Sequence, residues 1–252
     1  MKLHYRKIGS GQPLVILHGL FGTSDNWQTI GKKLAEDYEV YLVDQRNHGH
    51  SPKSDDFSYN FMADDLYEMF LDENINDAIL IGHSMGGKAS IVFGQLYGHL
   101  LDKLIIVDIG SKGYPLHHQA IFEGLLSVDL QNMNTRRLVD EHLSKYIEIP
   151  SVKQFLMKNL YWEEKGKLGW RINIPVLYRE IENICGPTPS DEVLTDTLFI
   201  RGELSNYIVE SDYDQLQEQF PGCVIETIEN AGHWVHAENP SKFYEIVMEF
   251  ID

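Results

Sequence analysis

The chain is poor in cysteine, in positive charge and in long apolar runs, and each shortage excludes something. Its two cysteines, Cys185 and Cys223, lie far apart with no metal-ligand spacing, so neither a disulfide scaffold nor a zinc site is expected, and two free thiols fit a reducing compartment. Against 38 Asp and Glu stand 21 Lys and Arg, a formal charge of −17. A surface of that sign argues against a nucleic-acid groove, which needs a basic face. The run "PLVIL" near the start is too short for a membrane span or a signal-peptide core, so no membrane span is expected and the chain reads as cytoplasmic. Repeats and low-complexity tracts are also missing.

What is present is a single long globular pattern. The length of 252 residues suffices for one substantial core, or for a core with a small insertion. Short continuous β-branched runs recur at Leu14–Leu17, Glu39–Val43, Ala78–Ile81, Leu104–Val107, Thr197–Ile200 and Cys223–Thr227. Runs of that kind mark strands buried on both faces. Helical patterns separate them at Asp25–Glu36, Tyr59–Leu71, Ser84–Tyr97 and Pro240–Ile251. Such alternation predicts an α/β fold with a mostly parallel central sheet flanked by helices. It lapses between about Lys112 and Ile184, where helical segments such as "QAIFEGLLSV" and "RRLVDEHLSKYI" dominate. A stretch of about 70 residues is too long for one crossover. The expected organisation is therefore a core of residues 1–111 and 185–252 carrying a helical cap at 112–184, with Trp162 and Trp170 in the core of that cap.

One stretch concentrates chemistry. "GHSMG", Gly82 to Gly86, follows the apolar run "AILI" and precedes a helical pattern. G-x-S-x-G between a strand and a helix forms a sharp turn that exposes a serine at the sheet edge. Ser84 is the expected nucleophile. A serine hydroxyl needs a positioned base. "NAGHWVHAENP" holds two candidates: His233, nearer the strand end, is expected to be the base, and His236 is expected to be structural. An oxyanion needs two donors. The Met85 amide, directly after the serine, is one; the loop "HGLFG" supplies the other, with Leu20 expected and Phe21 the alternative. Side chains of that loop, Phe21 among them, wall the substrate pocket. Asp44 and Arg46 in "VDQRNHGHS" are expected to fix a loop beside the site, and Lys88 to be structural. His48 and His50 have no partners at metal spacing.

Taken together, "HGLFGTSDNW", "VDQRNHGHS", "GHSMGGK" and "NAGHWVHAENP" occur in the order and separations of the α/β-hydrolase superfamily. The chain resembles in particular the small YbfF-like esterase and thioesterase group. The resemblance covers nearly the whole chain. It implies serine-dependent hydrolysis of carboxylic esters or thioesters, short to medium acyl esters and in some cases acyl-CoA, without metal or organic cofactor. The commoner pattern of the superfamily places the orienting acid as Gly-x-x-Asp after the strand before the last. Here that stretch is "RGELSN", with Ser205 at the acid position and Glu203 two residues early. The YbfF-like group is similar in pairing a serine there with an aspartate at the end of the strand after the nucleophile helix. That carries the role to Asp108, with Glu203 the alternative and Ser205 a supporting hydroxyl. A ligand-binding protein on a hydrolase fold, or a carbon–carbon bond hydrolase, are the rival readings; a dehalogenase would need a carboxylate where Ser84 stands. The sequence is silent on oligomeric state.

Overall fold

The structure is a computed structural model and describes residues 1–252. Seven strands form one sheet: β1 (His4–Gly9), β2 (Pro13–Leu17), β3 (Glu39–Asp44), β4 (Ala78–His83), β5 (Leu101–Val107), and two late strands, Asp196–Gly202 and Val224–Ile228. Between β5 and those late strands a two-stranded hairpin, β6 (Leu160–Glu164) and β7 (Lys167–Trp170), makes the late pair β8 and β9. The order across the sheet is β1-β3-β2-β4-β5-β8-β9. All neighbours are parallel except β1, which runs antiparallel to β3 on the edge.

All six predicted strands are present. Ile79, Leu80, Ile81, Leu104, Ile105 and Ile106 have no exposed surface, as expected for strands covered on both faces. The sheet separates two apolar layers. One holds Trp27, just before the helix Gln28–Leu34, with Ile30 and Leu34 of that helix and Phe243 and Val247 of the helix Pro240–Ile251. The larger layer packs the helices Tyr59–Glu73 and Met85–Tyr97 against the opposite face. It continues without a break into residues 112–184, through Phe122, Val139, Leu143, Leu156 and Leu168.

Two features were not legible as elements. β1 is half-buried to exposed along its whole length, a pattern that suits an edge strand and not the buried runs used to find the others. The hairpin β6–β7 turns at Gly166, φ +84°, inside a stretch expected to be helical. Here the expectation for Trp162 is corrected: it is 49% exposed on that hairpin, since a two-stranded ribbon with one face on the protein leaves its other face in water. Trp170 does pack against the main core. Between β5 and β8 the chain otherwise forms the helices Gln119–Leu126, Arg136–Leu143, Pro150–Met157, Ile174–Arg179 and Ile181–Cys185. No helix is long and apolar enough to cross a membrane.

The sheet order reverses at β2, which lies between β3 and β4. Chain leaving β2 and chain leaving β4 therefore diverge at the carboxyl edge and open a crevice there, the usual ligand position in doubly wound sheets.

Candidate active site

Ser84 joins β4 to the helix Met85–Tyr97 with φ 53° and ψ −117°. A non-glycine residue there carries strain of about 1–3 kcal/mol, so the surroundings must impose it. They do so on both sides. The Ser84 amide donates to Val107 O at 3.0 Å and its carbonyl accepts from the Lys88 amide at 3.0 Å. Gly86 lets the new helix start against β2: a Cβ there would stand 2.5 Å from His18 O and 2.7 Å from Leu17 O. Gly19 plays the matching part on the β2 loop, where a Cβ would meet Ser84 Cβ at 3.2 Å.

The hydroxyl so exposed meets an imidazole. Ser84 Oγ lies 3.0 Å from His233 Nε2, and His233 Nδ1 lies 2.7 Å from Asp108 Oδ2. An ionised carboxylate only accepts, so Nδ1 carries the proton and Nε2 is left to accept from the serine. Asp108 directly follows β5, is fully buried, and has φ 49°. Its Oδ1 accepts from the Gly202 amide at 3.0 Å, and its Oδ2 also accepts the Ser205 hydroxyl. Three donors thus surround the buried carboxylate. Glu203 is elsewhere: its exposed carboxylate accepts from the Asn230 amide at 2.8 Å and ties the turn before His233. His236 is buried and stacks on Trp27 with centroids 4.0 Å apart.

The two amides named for an oxyanion also separate. Phe21 N–H donates to His48 Nε2 at 3.3 Å, while His48 Nδ1 faces Arg46 O at 2.9 Å and so donates. The Phe21 amide is therefore occupied, and the Leu20 amide has no such partner. Met85 is the first residue of its helix, where the N–H lacks an intrahelical acceptor. The loop behind is braced as its residues suggested. Asp44 accepts from the amides of Ser24 at 2.7 Å and His50 at 2.9 Å, and Arg46 pairs with Asp65 at 2.7 Å, both nearly or fully buried.

Sequence reasoning missed Tyr207. Its ring stacks on His233, centroids 3.9 Å apart and planes 16° from parallel. Its hydroxyl donates to His117 Nε2 at 3.0 Å, and burial pushes its own pKa up to about 12. His83 was missed too; its Nε2–H donates to the His233 carbonyl at 2.9 Å. Burial holds His83 well below the ordinary histidine range, and His236 down at about 3, so both are neutral. The signal for His83 was only its place inside G-x-S-x-G; for Tyr207 there was none, since no motif marks the loop after β8 as packing on the imidazole.

Ser84, His233, His83, Tyr207, Leu20 and Met85 line one cavity of about 390 Å³. Its walls come from the β2 loop, the helix after Ser84, the loops after β5, β8 and β9, and from Ile121, Val152, Phe155 and Leu156 of residues 112–184. Lys88 lies in its wall, 1% exposed, with Nζ donating to Lys112 O at 2.8 Å and to Gly186 O. Burial lowers its pKa to about 8. No group of three or more His, Cys, Asp or Glu is arranged to hold a metal ion.

A strained serine after a central parallel strand faces an imidazole at the sheet's carboxyl edge. Residues 12–145 match the family described as alpha/beta hydrolase fold, and the chain belongs to it. Among curated proteins it is similar to the sn-1-specific diacylglycerol lipase ABHD11 of Danio rerio, 36% identical, covering 96% of this chain and 79% of that one. It is also similar to esterase YbfF of Escherichia coli strain K12, 34% identical, covering 96% and 94%. A solved structure of a marine microorganism esterase superposes with a TM-score of 0.96 at 40% identity, over 99% of both chains.

Proposed function

We propose that this protein is a carboxylic ester hydrolase working through an acyl-serine intermediate. Support at the coarse level comes from relatives named as esterase and diacylglycerol lipase over nearly the whole chain. The observation that carries the mechanism is the unbroken relay from Ser84 Oγ through His233 to Asp108 at the wall of a largely apolar cavity. Ser84 attacks the acyl carbon while His233 Nε2 takes the hydroxyl proton. The Leu20 and Met85 amides receive the developing oxyanion. His233, held in its tautomer by Asp108, then protonates the leaving group, and water repeats the sequence in reverse roles to release the acid. Ser205 and the Gly202 amide hold Asp108; Phe21 walls the pocket.

Residues 112–184 act in this reading as a cap on a core of 1–111 and 185–252. Phe155, Val152 and Ile121 close the cavity from that side. Each methylene a substrate buries there contributes about 0.8 kcal/mol, roughly a fourfold gain in binding. Short to medium acyl esters suit a cavity of this size, and thioesters, including acyl-CoA, react by the same steps. Two buried free thiols are consistent with action in the cytoplasm. The test is labelling by a fluorophosphonate together with release of nitrophenol from p-nitrophenyl esters of graded acyl length. Labelling mapped to Ser84 and lost on heat denaturation is expected; an unlabelled serine with no turnover on any ester would leave a binding protein on a hydrolase fold.

A further inference from the structure

His233 stands in a stretch of chain that no regular element holds. It lies beyond β9, in residues with neither strand pairing nor helical bonds, just before the short helix Val235–Glu238. Ser84 and Asp108 fix the two nitrogens of its imidazole. The main chain that carries the ring is held by other groups, and three hydrogen bonds converge on it. The Gly232 amide, before it, donates to Glu238 Oε2, and the Trp234 amide, after it, donates to Glu238 Oε1 at 3.3 Å. One exposed carboxylate therefore reaches back along the chain to grip both sides of the base. A charged acceptor makes such bonds stronger than neutral ones. Between the two amides, the His233 carbonyl accepts from His83 Nε2 at 2.9 Å, and no backbone amide reaches it.

His83 is built as an anchor. It is the last residue of β4, directly before Ser84, and is 4% exposed. Burial keeps it neutral, so the ring carries one proton, and its bond to a carbonyl places that proton on Nε2. The rings of Trp27 and His236 flank it, with centroids 6.3 and 4.9 Å away. On another side a Cβ added to Gly19 would stand 2.9 Å from His83 Nδ1, so the imidazole has little room to swing aside. Nucleophile and base are thus tied twice. One tie runs between side chains, from Ser84 Oγ to His233 Nε2, and the other from His83 to the main chain of the base.

Resting on the acyl-serine reading above, we propose that His83 and Glu238 are positioning residues: together they clamp the main chain of His233, and the clamp sets the approach of its Nε2 to Ser84 Oγ. Neither exchanges a proton with the substrate. A misplacement of about 1 Å at a reacting group can cost on the order of 10²-fold in rate. Loosening the clamp should therefore slow the chemistry and leave substrate binding, which the cavity walls provide, as it was.

The experiment measures kcat and KM for p-nitrophenyl acetate, the rate of fluorophosphonate labelling and the thermal midpoint in full-chain variants. His83→Phe keeps a ring without a donor, and His83→Gln returns an N–H near the place of Nε2. Glu238→Met removes both acceptor oxygens, and Glu238→Gln keeps one. His83→Phe and Glu238→Met are each expected to lower kcat roughly 10–100-fold, with KM within about threefold and labelling slowed to match. His83→Gln and Glu238→Gln are expected to recover much of that loss. Glu238 is exposed, so its variants decide if His83→Phe does not fold. Wild-type kcat in Glu238→Met, or in a folded His83→Phe, overturns the clamp and leaves the ester hydrolase standing. A His83→Gln variant as slow as a folded His83→Phe overturns the hydrogen bond as the cause. A loss carried by KM with kcat kept overturns the positioning role. Absence of wild-type turnover on every ester, with Ser84 unlabelled, overturns the acyl-serine reading itself.

Discussion

Ser84, His233 and Asp108 each occupy a position where replacing one functional atom keeps the shape of the site, so their roles separate cleanly by mutation. Ser84→Ala keeps the Cβ and the backbone geometry of the turn and should fold as the wild type does, while kcat for p-nitrophenyl acetate falls on the order of 10⁴–10⁶, as for nucleophile knockouts elsewhere. Wild-type-like turnover in the purified variant would remove the serine from the mechanism. Asp108→Asn should cost roughly 10²–10⁴ in kcat, because an amide no longer enforces the His233 tautomer. Glu203→Gln should cost less than about tenfold, and its effect belongs to stability, since the side chain ties only the Asn230 amide. Ser205→Ala removes one of three donors to Asp108 and falls between them. Circular dichroism on each variant precedes the kinetics; a crippled Glu203→Gln beside a mild Asp108→Asn would exchange the two acids.

At the scale of elements, the site depends on how closely the helix Met85–Tyr97 approaches β2. Gly86→Ala should destabilise by about 1–3 kcal/mol, the range for overpacking, because its Cβ would press on backbone oxygens that cannot rotate aside. The loop carrying the Leu20 amide moves with β2, so kcat should fall more than KM rises. A thermal midpoint and rates equal to wild type would show that β2 gives way freely. Residues 112–184 share the main apolar layer, and Asn159 Nδ2 donates to Phe21 O at 2.7 Å. Excising the segment would therefore expose core, and a wall substitution is the sounder probe. Ile121→Trp, at a half-buried position on the cavity, should shift the acyl-length profile toward short esters, with long-chain kcat/KM reduced at least about tenfold relative to acetate by lost room for methylenes. An unchanged profile would take that helix out of the pocket wall.

Across the whole molecule, buried neutral histidines link stability to pH. Burial holds His48 and His236 at about 3 and His118 at about 4, with His18 and His83 lowered as well. In an unfolded chain these imidazoles titrate near about 6.5. Below that value the unfolded state takes up protons that the fold refuses, so their contribution is complete above about pH 6.5 and is lost as pH falls toward the folded values, at up to about 1.4 kcal/mol per pH unit for each group. The urea midpoint should therefore drop between pH 7 and pH 5, before most carboxylates begin to protonate. A midpoint unchanged over that interval would mean the imidazoles protonate in place.

Strand positions and the order of the motifs were legible because each depends on a local property. A continuous β-branched run excludes a solvated face wherever it lies, and a serine between Gly82 and Gly86 after such a run has few conformations open to it. Pairings across the chain were not legible by the same means. Asp108 and His233 meet because β5 lies beside β8 and the loop after β9 folds back over the sheet edge, a fact of strand order. Register in that stack also turns Glu203 outward and brings Ser205 onto Asp108. The engagement of the Phe21 amide by His48 and the stacking of Tyr207 on His233 both depend on side chains from separate loops meeting at one site. Sequence determines what each short segment prefers; which distant segments become neighbours is decided by the packing of two apolar layers on one sheet, where burial of common surface is the driving term and no single segment holds the information.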